Sequence, residues 1–234
     1  MQFQSPILFK CICEIRFKPE FVYLSKRLSI CDEFKDKLPN WNIDLSKVEL
    51  HDLTGKNDED RRNIFIFTNK GASLETNNVG VYENFKALAT FIFPKIVDGL
   101  ELTKLDRIGI RSFSIFKSDL SLTNLKDLLF KKLYANEIKS RKIFGDITDI
   151  AYVINTIKNG HDLRIETGPV TKEEIEHRFT FKIKDAPEVG ILIDLDYFRN
   201  NEDGRNIEKM LKKYNEIMND IYTSFLNYLK EEEE

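Results

Sequence analysis

Two arginines lie on what the sequence predicts to be one face of a β-strand, in the segment LDRIGIRSFSIF (Leu105–Phe116). Successive side chains of a strand point to opposite faces, so Arg107, Gly109 and Arg111 share one face and the isoleucines between them share the other. Arg16 stands on the polar face of the first predicted strand, and we expect it to join them if the two opening strands are related by pseudo-symmetry. Guanidinium groups bind phosphate through paired, parallel hydrogen bonds. The pattern therefore indicates a site for a phosphate-bearing ligand, with Gly109 leaving room for its close approach.

An ion-paired surface is the alternative for these arginines. Charged side chains commonly cover the solvated face of an antiparallel sheet, where opposite charges on neighbouring strands attract one another. Glu14 and Asp106 stand close to the arginines in sequence, and Asp194 and Asp196 share one face of a later predicted strand. If these carboxylates meet the guanidinium groups, the arginines serve the fold rather than a ligand.

Asp194 and Asp196 also have the spacing of a metal site. Two carboxylates at alternate positions of a strand can share a Mg²⁺ ion, as they do in polymerase-like and nuclease-like sites. Such a site needs a third acid, for which Glu166 is a candidate. The D-x-D pattern alone has low specificity, so we predict no metal and no other cofactor.

A second group of positive charges ends a predicted helix, in the segment KKLYANEIKSRK (residues 131–142). Its five basic residues surround Tyr134 and are Lys131, Lys132, Lys139, Arg141 and Lys142. Arg61 and Arg62 add two more charges from another part of the chain. Basic residues beside an aromatic ring can follow a nucleic-acid backbone. A solvated helix end is the alternative, because lysines there also complement the helix dipole.

The remaining side chains carry no signature of an enzyme. The histidines His51, His161 and His177 fall in a predicted loop, a hairpin turn and the start of a strand, and none has metal-ligand spacing to a cysteine or another histidine. The phosphate-binding loop G-x-x-x-x-G-K-[ST], the dinucleotide motif G-x-G-x-x-G and serine-nucleophile motifs are all absent from the sequence.

The net charge bears on whether this protein binds nucleic acid, and the cysteine content bears on whether it contains disulfides. The formal net charge of the 234 residues is −3, and Glu231–Glu234 end the chain, so the rest is close to neutral. This disfavours binding of nucleic acid through overall charge and leaves room for a local basic patch. Cys11, Cys13 and Cys31 are an odd number in apolar segments, which indicates reduced core residues in a cytoplasmic protein. No apolar run of about 20 residues predicts a membrane helix, and the N-terminus lacks a signal-peptide pattern.

Hydrophobic periodicity predicts two related modules, residues 1–104 and 105–234. Each opens with a strand that contains an Ile-Arg pair, and the order is β-α-β-β-α and then β-α-β-β-β-β-α. No Gly/Ser/Pro-rich linker separates them, so we expect tight packing, and a single domain is the alternative. We predict an α+β fold whose mainly antiparallel strands join into sheet with the helices on one side. A long helix, residues 206–230, closes the chain.

Turn and helix signals predict local features at five positions along the chain. Hairpins are expected around Asn69–Gly71 and Asn159–Gly160, and a further hairpin over residues 177–198. Pro94 is expected to kink or break the helix that contains it, and Thr123 to cap the start of another.

Four segments resemble, in this order, one protein family: EIRFKP, LDRIGIRSFSIF, ILIDLDYF and YNEIMNDIYTSFL. They are similar to a sporadically distributed prokaryotic family of unknown function with an E-x-x-x-IRF opening strand. Its members also carry a mid-chain R-x-G-x-R strand and a closing helix of the N-E-x-x-x-x-x-Y type. Ser112, Phe113 and Ser114 stand where the family has an aromatic residue and an asparagine. The resemblance implies patchy occurrence among microbes, often near mobile or defence-type genes, and no known reaction.

Three functions are compatible with these features. The first is a non-catalytic accessory subunit of a prokaryotic defence-type system, which binds nucleic acid or a nucleic-acid-bound partner such as an Argonaute-like protein. The second is a metal-dependent enzyme acting on phosphodiesters or nucleotides through Asp194 and Asp196. The third is a component that binds only other proteins. We expect a protein partner in the first and third cases and no membrane association in any of them.

Overall fold

The computed structural model of this chain describes residues 4–53, 61–134, 151–158 and 160–230. Within these ranges nine strands are present: β1 (Ile7–Arg16), β2 (Asn40–Ile43), β3 (Lys47–Leu53), β4 (Arg61–Thr68), β5 (Gly71–Asn77), β6 (Leu105–Lys117), β7 (Tyr152–Lys158), β8 (His161–Thr171) and β9 (Val189–Glu202). The same ranges contain five α-helices: α1 (Val22–Asp32), α2 (Tyr82–Gly99), α3 (Leu122–Tyr134), α4 (Lys172–Arg178) and α5 (Ile207–Lys230). A short 3₁₀ helix, Gly204–Asn206, precedes α5.

The nine strands form one sheet in the order β2-β3-β4-β5-β1-β6-β9-β8-β7. Every pair of neighbours among them is antiparallel. The predicted α+β class, with a mainly antiparallel sheet and a long C-terminal helix, is confirmed.

The two halves of the sheet repeat the same order outward from its centre, where β1 pairs with β6. β5, β4 and β3 lie beyond β1, and β9, β8 and β7 lie beyond β6. The spacing from Asn77, the end of β5, to Tyr82, the start of α2, equals that from Glu202, the end of β9, to Ile207, the start of α5. The strand order of the second half therefore repeats that of the first about the β1–β6 pair, with no described counterpart of β2. The strands of the two predicted modules, residues 1–104 and 105–234, belong to one continuous sheet, which they share through the β1–β6 pair.

One face of the sheet carries α1, α2, α3 and α5 and holds the main core. Cys11, Cys13 and Ile15 point into this core and are fully buried, as the alternation of β1 predicts. The cysteines are free thiols, and burial raises the pKa of the Cys11 thiol well above its ordinary value. The Tyr82 hydroxyl donates a hydrogen bond of 3.0 Å to the backbone carbonyl of Leu211, which ties α2 to α5.

The opposite face of the sheet carries α4, the exception to the prediction that helices pack on one side. Thr171 and Glu174 form a capping box that starts this helix: Thr171 Oγ1 accepts a hydrogen bond from the Glu174 amide at 3.2 Å, and Glu174 Oε2 accepts one from the Thr171 amide at 2.7 Å. Ile175 of α4 packs with Phe9 and Phe113 of the sheet in a second, smaller core. The second half of this face is thus partly covered, whereas the first half bears no helix within the described ranges.

The predicted hairpin over residues 177–198 is wrong in its first arm. His177 and Arg178 are the last residues of α4, and the segment after them forms no strand. Phe179 and Phe181 of this segment are buried all the same, because they pack on Phe9. Their alternation reflects burial on one side rather than pairing in a sheet.

Two other local predictions need correction. Pro94 lies inside α2, which runs without a break from Tyr82 to Gly99. Ser121, not Thr123, caps α3, because Ser121 Oγ accepts a hydrogen bond from the Asn124 amide at 3.3 Å. The hairpin at Asn69–Gly71 is confirmed as the β4–β5 turn. A hairpin also joins β7 to β8, although Asn159 lies outside the described residues.

Candidate functional site

The arginines of β6 lie on the face of the sheet that carries α4, opposite the main core. Ile108 and Ile110 are fully buried on the other side, as predicted. Arg107 and Arg111 are partly exposed, with 23% and 39% of their side-chain surface accessible. The next strand in the sheet, β9, supplies the carboxylates that pair with these two arginines.

Asp194 of β9 binds Arg111 through two parallel hydrogen bonds. Arg111 Nε donates to Asp194 Oδ1 at 2.8 Å, and Arg111 Nη2 donates to Asp194 Oδ2 at 2.6 Å. The carboxylate is only 1% exposed, so it is shielded from water, and its negative charge is stabilised by the arginine instead. These hydrogen bonds raise the pKa of Arg111 above its ordinary value. The Arg111 guanidinium also lies 4.9 Å from the centroid of the Phe113 ring, which fixes its plane.

Asp196 of β9 binds Arg107 in a looser pair. Arg107 Nη2 donates to the two carboxylate oxygens at 3.1 and 3.4 Å. The guanidinium lies over the Phe198 ring, 4.2 Å from its centroid. A Cβ at Gly109 would stand 3.3 Å from Phe198 and 3.6 Å from the Arg107 guanidinium. The space that glycine leaves is therefore filled by this protein's own side chains. Burial raises the pKa of Asp196.

α4 and β8 extend these pairs into a larger cluster. Arg178 of α4 lies 3.4 Å from Glu166 and 3.7 Å from Asp194, and Arg164 Nη2 donates to Glu166 at 2.8 Å. The hydrogen bond from Arg164 lowers the pKa of Glu166. We call the whole cluster the arginine–carboxylate network, and its members are Arg107, Arg111, Arg164, Arg178, Glu166, Asp194 and Asp196. Four cations face three carboxylates in it, so little positive charge is left for an anionic ligand.

Arg16 belongs to the same face but pairs within its own strand. Its Nε and Nη2 donate to the two Glu14 oxygens at 2.8 and 2.9 Å, and these hydrogen bonds raise the pKa of Arg16. Arg16 stands directly across from Arg107 in the β1–β6 pairing, so the structure does bring together the three predicted arginines. The geometry is that of the ion-paired alternative, in which the arginines meet Glu14, Asp194 and Asp196.

The carboxylates predicted as weak candidates for metal binding are all held by arginines. Asp194, Asp196 and Glu166 lie on one face of neighbouring strands, with Glu166 directly across from Asp194. Each accepts hydrogen bonds from a guanidinium group. Across the described ranges, no group of three or more His, Cys, Asp or Glu side chains is arranged to hold a metal ion.

The described start of the basic segment lies on the other face of the sheet from the arginines. Lys131 and Lys132 end α3, whose Leu125 and Leu129 pack into the main core beneath the helix layer. Lys132 lies 5.8 Å from the centroid of the Tyr228 ring. Lys139, Arg141 and Lys142 fall outside the described residues, as do the side chains of Arg61 and Tyr134. The structure therefore does not bring the arginine face and the described part of the basic segment together into one site.

The three histidines do not converge. His51 lies in β3 rather than in a loop, His161 opens β8, and His177 lies in α4 rather than at the start of a strand. His161 stacks on Tyr197, with ring centroids 4.6 Å apart.

An exposed apolar cluster that the sequence patterns did not predict lies at the start of α1. Phe21 is 91% exposed, Leu24 61% and Leu45 92%, and the three side chains line one cavity of about 330 Å³. We call this cluster the Phe21 patch. The segment PEFVYL carries a sequence signal for this cluster. A helix that is buried on one face has apolar residues at every third or fourth position, whereas apolar residues occupy consecutive positions at the start of α1.

The loop that carries Leu45 is held in place by polar contacts. Asp44 Oδ1 accepts hydrogen bonds from the amides of Ser46 and Lys47 at 2.6 and 2.9 Å. Arg27 Nη1 donates to the backbone carbonyls of Asp44 and Leu45 at 3.0 and 3.2 Å. Leu45 is thus presented to solvent by a fixed loop.

No protein-family model matches this sequence, and no curated protein is significantly similar to it. None of the helices in the described ranges has the length and apolar character needed to cross a lipid bilayer.

Proposed function

We propose that this chain is a non-catalytic binding subunit that docks a partner protein on the Phe21 patch. The observation that carries the proposal is the nearly complete exposure of Phe21 and Leu45 around one cavity. Burying a Leu or Phe side chain stabilises a protein by about 1.5–3 kcal/mol relative to leaving it in water. A partner that covers the patch recovers this free energy for each of the three side chains. The fixed loop that carries Leu45 also favours binding, since little conformational entropy is lost when Leu45 contacts a partner.

The ion pairs of the predicted arginines support a protein partner over direct binding of nucleic acid. Bidentate pairing with Asp194 engages the phosphate-binding edge of Arg111, and the pair with Glu14 does the same for Arg16. A phosphate backbone would have to break these pairs before it could use either guanidinium group. The pairs of Arg111 with Asp194 and of Arg107 with Asp196 count against catalysis by these carboxylates, because a metal ion would compete with arginines already bound to them.

The resemblance noted in the sequence suggests the setting. A subunit of a prokaryotic defence-type system would act in the cytoplasm, where its free thiols stay reduced. Its partner would then be a protein that itself holds nucleic acid, and an Argonaute-like protein is the first example to test.

The test compares three forms of the protein as bait in a lysate of the source cells. The double variant Phe21→Ser, Leu45→Ser removes the patch, and Val153→Ser, Ile157→Ser removes two exposed apolar side chains from the distant edge strand β7. Circular dichroism and thermal unfolding establish that all forms are folded. We expect a defined protein to be retained by the wild type and the β7 variant and lost with the patch variant.

The partner identified in this way is then purified and titrated. Loss of two central apolar contacts is expected to weaken binding about 100-fold, at about 1.4 kcal/mol for each contact. Equal retention by all three baits would refute docking on the patch. Binding of labelled nucleic acid by the isolated chain, with steep weakening in salt and loss in Arg107→Ala, Arg111→Ala, would favour the nucleic-acid hypothesis instead.

A further inference from the structure

Helix α1 turns an uncharged face to solvent over two of its turns. Phe21 and Leu24 of the Phe21 patch lie on this face, which continues beyond them to Leu28, a residue that is 46% exposed. These three residues are spaced by three and four positions, so they form one ridge along the helix. Surface helices ordinarily turn charged side chains to water, so this face has the character of an interface. Its exposed residues are Phe21, Val22, Leu24, Ser25, Leu28 and Ser29.

The charged and polar side chains of α1 make their contacts away from this face or within the helix itself. Lys26 is half-buried and pairs with Glu101 at 2.9 Å. The guanidinium group of Arg27, also half-buried, binds the backbone carbonyls of the Leu45 loop. The hydroxyls of Ser25 and Ser29 donate to carbonyls of α1 at 3.0 and 2.9 Å. A surface that packs on this face must therefore be uncharged and largely apolar as well.

The ends of α1 lack the charges that complement a helix dipole. The first turn contains no acidic residue, and no side chain in the described part of the chain caps the N-terminus. The last turn contains no basic residue and ends on Asp32, which lies four positions beyond Leu28 on the same face. The Asp32 carboxylate pairs with Lys35 at 3.1 Å, but both side chains are exposed, so this pair contributes little. A carboxylate is unfavourable at a helix C-terminus and favourable at an N-terminus.

A second copy of α1 that runs antiparallel to the first supplies the missing charge. It brings its own Asp32 to the N-terminus of the first helix, and the first helix does the same in return. The two dipoles also oppose each other in this orientation. In a parallel pair the two Asp32 carboxylates would meet and repel. The uncharged face and the charges at its ends therefore complement a second copy of the same helix.

We propose that a second copy of this chain packs antiparallel on α1, in a two-fold symmetric pair that covers the Phe21 patch. Phe21 of one copy faces Leu28 of the other, and Leu24 faces Ser25, whose small side chain lets the helices approach closely. Leu28 of the second copy enters the cavity of about 330 Å³ that Phe21, Leu24 and Leu45 line. Two turns of helix and one loop residue make a small interface, so we expect a Kd of about 10–100 μM.

This self-association covers the surface that a partner protein is proposed to use, so the two complexes exclude one another. Its regulatory consequence rests on the proposed function: the homodimer shields the apolar patch from water, and a partner protein displaces the second copy. The self-association itself depends only on α1 and the Leu45 loop, so it holds or fails independently of the partner.

The first test is sedimentation equilibrium of the whole chain from about 1 to 500 μM. We expect a reversible dimer for the wild type. Leu24→Ser, Leu28→Ser should weaken self-association at least about tenfold, because a two-fold interface uses each position twice. The matched control is Val153→Ser, Ile157→Ser, which removes two comparably exposed apolar side chains from β7 and should dimerise as the wild type does.

The second test measures the orientation by disulfide cross-linking under mild oxidation. The native cysteines are fully buried, so an introduced cysteine on the α1 face is the accessible thiol among the described residues. In the antiparallel pair residue 25 lies beside its own copy, so Ser25→Cys should cross-link. The two copies of residue 29 stand about 13 Å apart along the helix axis, beyond the reach of a disulfide, so Ser29→Cys should not.

Three results would overturn the proposal. They are a chain that stays monomeric at about 500 μM, equal self-association of the α1 variant and the β7 control, and equal cross-linking of the two cysteine variants. If the chain is monomeric but Phe21→Ser, Leu45→Ser still loses the lysate partner, self-association fails and the docking function stands. All the substituted side chains are exposed, so the variants are expected to fold, and thermal unfolding checks this.

Discussion

The pair of Arg111 and Asp194 allows a quantitative prediction, because its two members differ in exposure. Asp194 is 1% exposed, whereas 39% of the Arg111 side chain reaches solvent. Removing the arginine leaves a charged carboxylate buried without its bidentate partner. Removing the carboxylate leaves a guanidinium group that can turn toward water. Loss of the arginine should therefore cost more stability than loss of the aspartate.

The magnitudes follow from this difference. Breaking a fully buried ion pair costs about 3–5 kcal/mol. For Arg111→Met we expect about 2–3 kcal/mol, because Arg111 is partly solvated and Arg178 remains 3.7 Å from the carboxylate. For Asp194→Leu we expect about 1 kcal/mol. The double variant should lie within about 1 kcal/mol of the wild type, because an apolar pair of similar volume carries no stranded charge. The coupling between the two sites is then at least about 2 kcal/mol.

The assay is urea unfolding of the four proteins of this double-mutant cycle. Far-UV circular dichroism reports the fold, and Trp41, the single tryptophan of the chain, gives an independent fluorescence signal. An additive cycle would refute the view that the pair is a coupled buried unit. A larger loss for Asp194→Leu than for Arg111→Met would refute the assignment of the buried charge to the aspartate.

Two further predictions concern backbone packing and pH. Gly71→Ala should destabilise the protein by about 1–3 kcal/mol in urea unfolding, because the added Cβ would stand 2.5 Å from the Ile15 carbonyl oxygen. Ser73→Ala on the same strand is the control. Equal stability of the two variants would contradict the close approach of β5 to the Ile15 carbonyl. Asp203 has its pKa lowered from 3.8 to about 2, chiefly by the hydrogen bond from the Arg205 side chain, so its contribution to stability is present above 3.8 and lost as the pH falls toward 2. Asp203→Asn should therefore flatten the fall of Tm over this interval, and an unchanged acid profile would count against the pairing.

The strands were predictable wherever one side of the chain faces the main core. Cys11, Cys13 and Ile15 alternate with polar residues, and the structure buries them as expected. The same rule failed at Phe179 and Phe181, which alternate and are buried without being in a strand. Periodicity reports which side chains are buried, not whether the backbone pairs with a neighbour. The T-x-x-E pattern that starts α4 was readable in the sequence as a capping box.

The partners of the arginines were not predictable, because they depend on strand order and register. The sequence places Arg107 and Arg111 on one face, and Asp194 and Asp196 on one face of another strand. Their meeting requires that β9, rather than β5, lies beside β6. It also requires that Arg111 stand directly across from Asp196, with Asp194 two residues further along β9 on the same face. A shift of one residue would move every side chain of β9 to the other face.

The position of β1 at the centre of the sheet has a consequence during synthesis. One edge of β1 pairs with β5, which is made early, but the other edge pairs with β6, and β6 in turn pairs with β9 near the end of the chain. Translation at 5–20 residues per second needs roughly 5–20 s to pass from β6 to the end of β9. For that time the edge of β6 that later pairs with β9 stays unpaired, and the core lacks α5. The interval between the synthesis of β6 and that of β9 is therefore when this protein most needs a chaperone. A slow codon or a truncation in this interval would leave an aggregation-prone strand edge exposed.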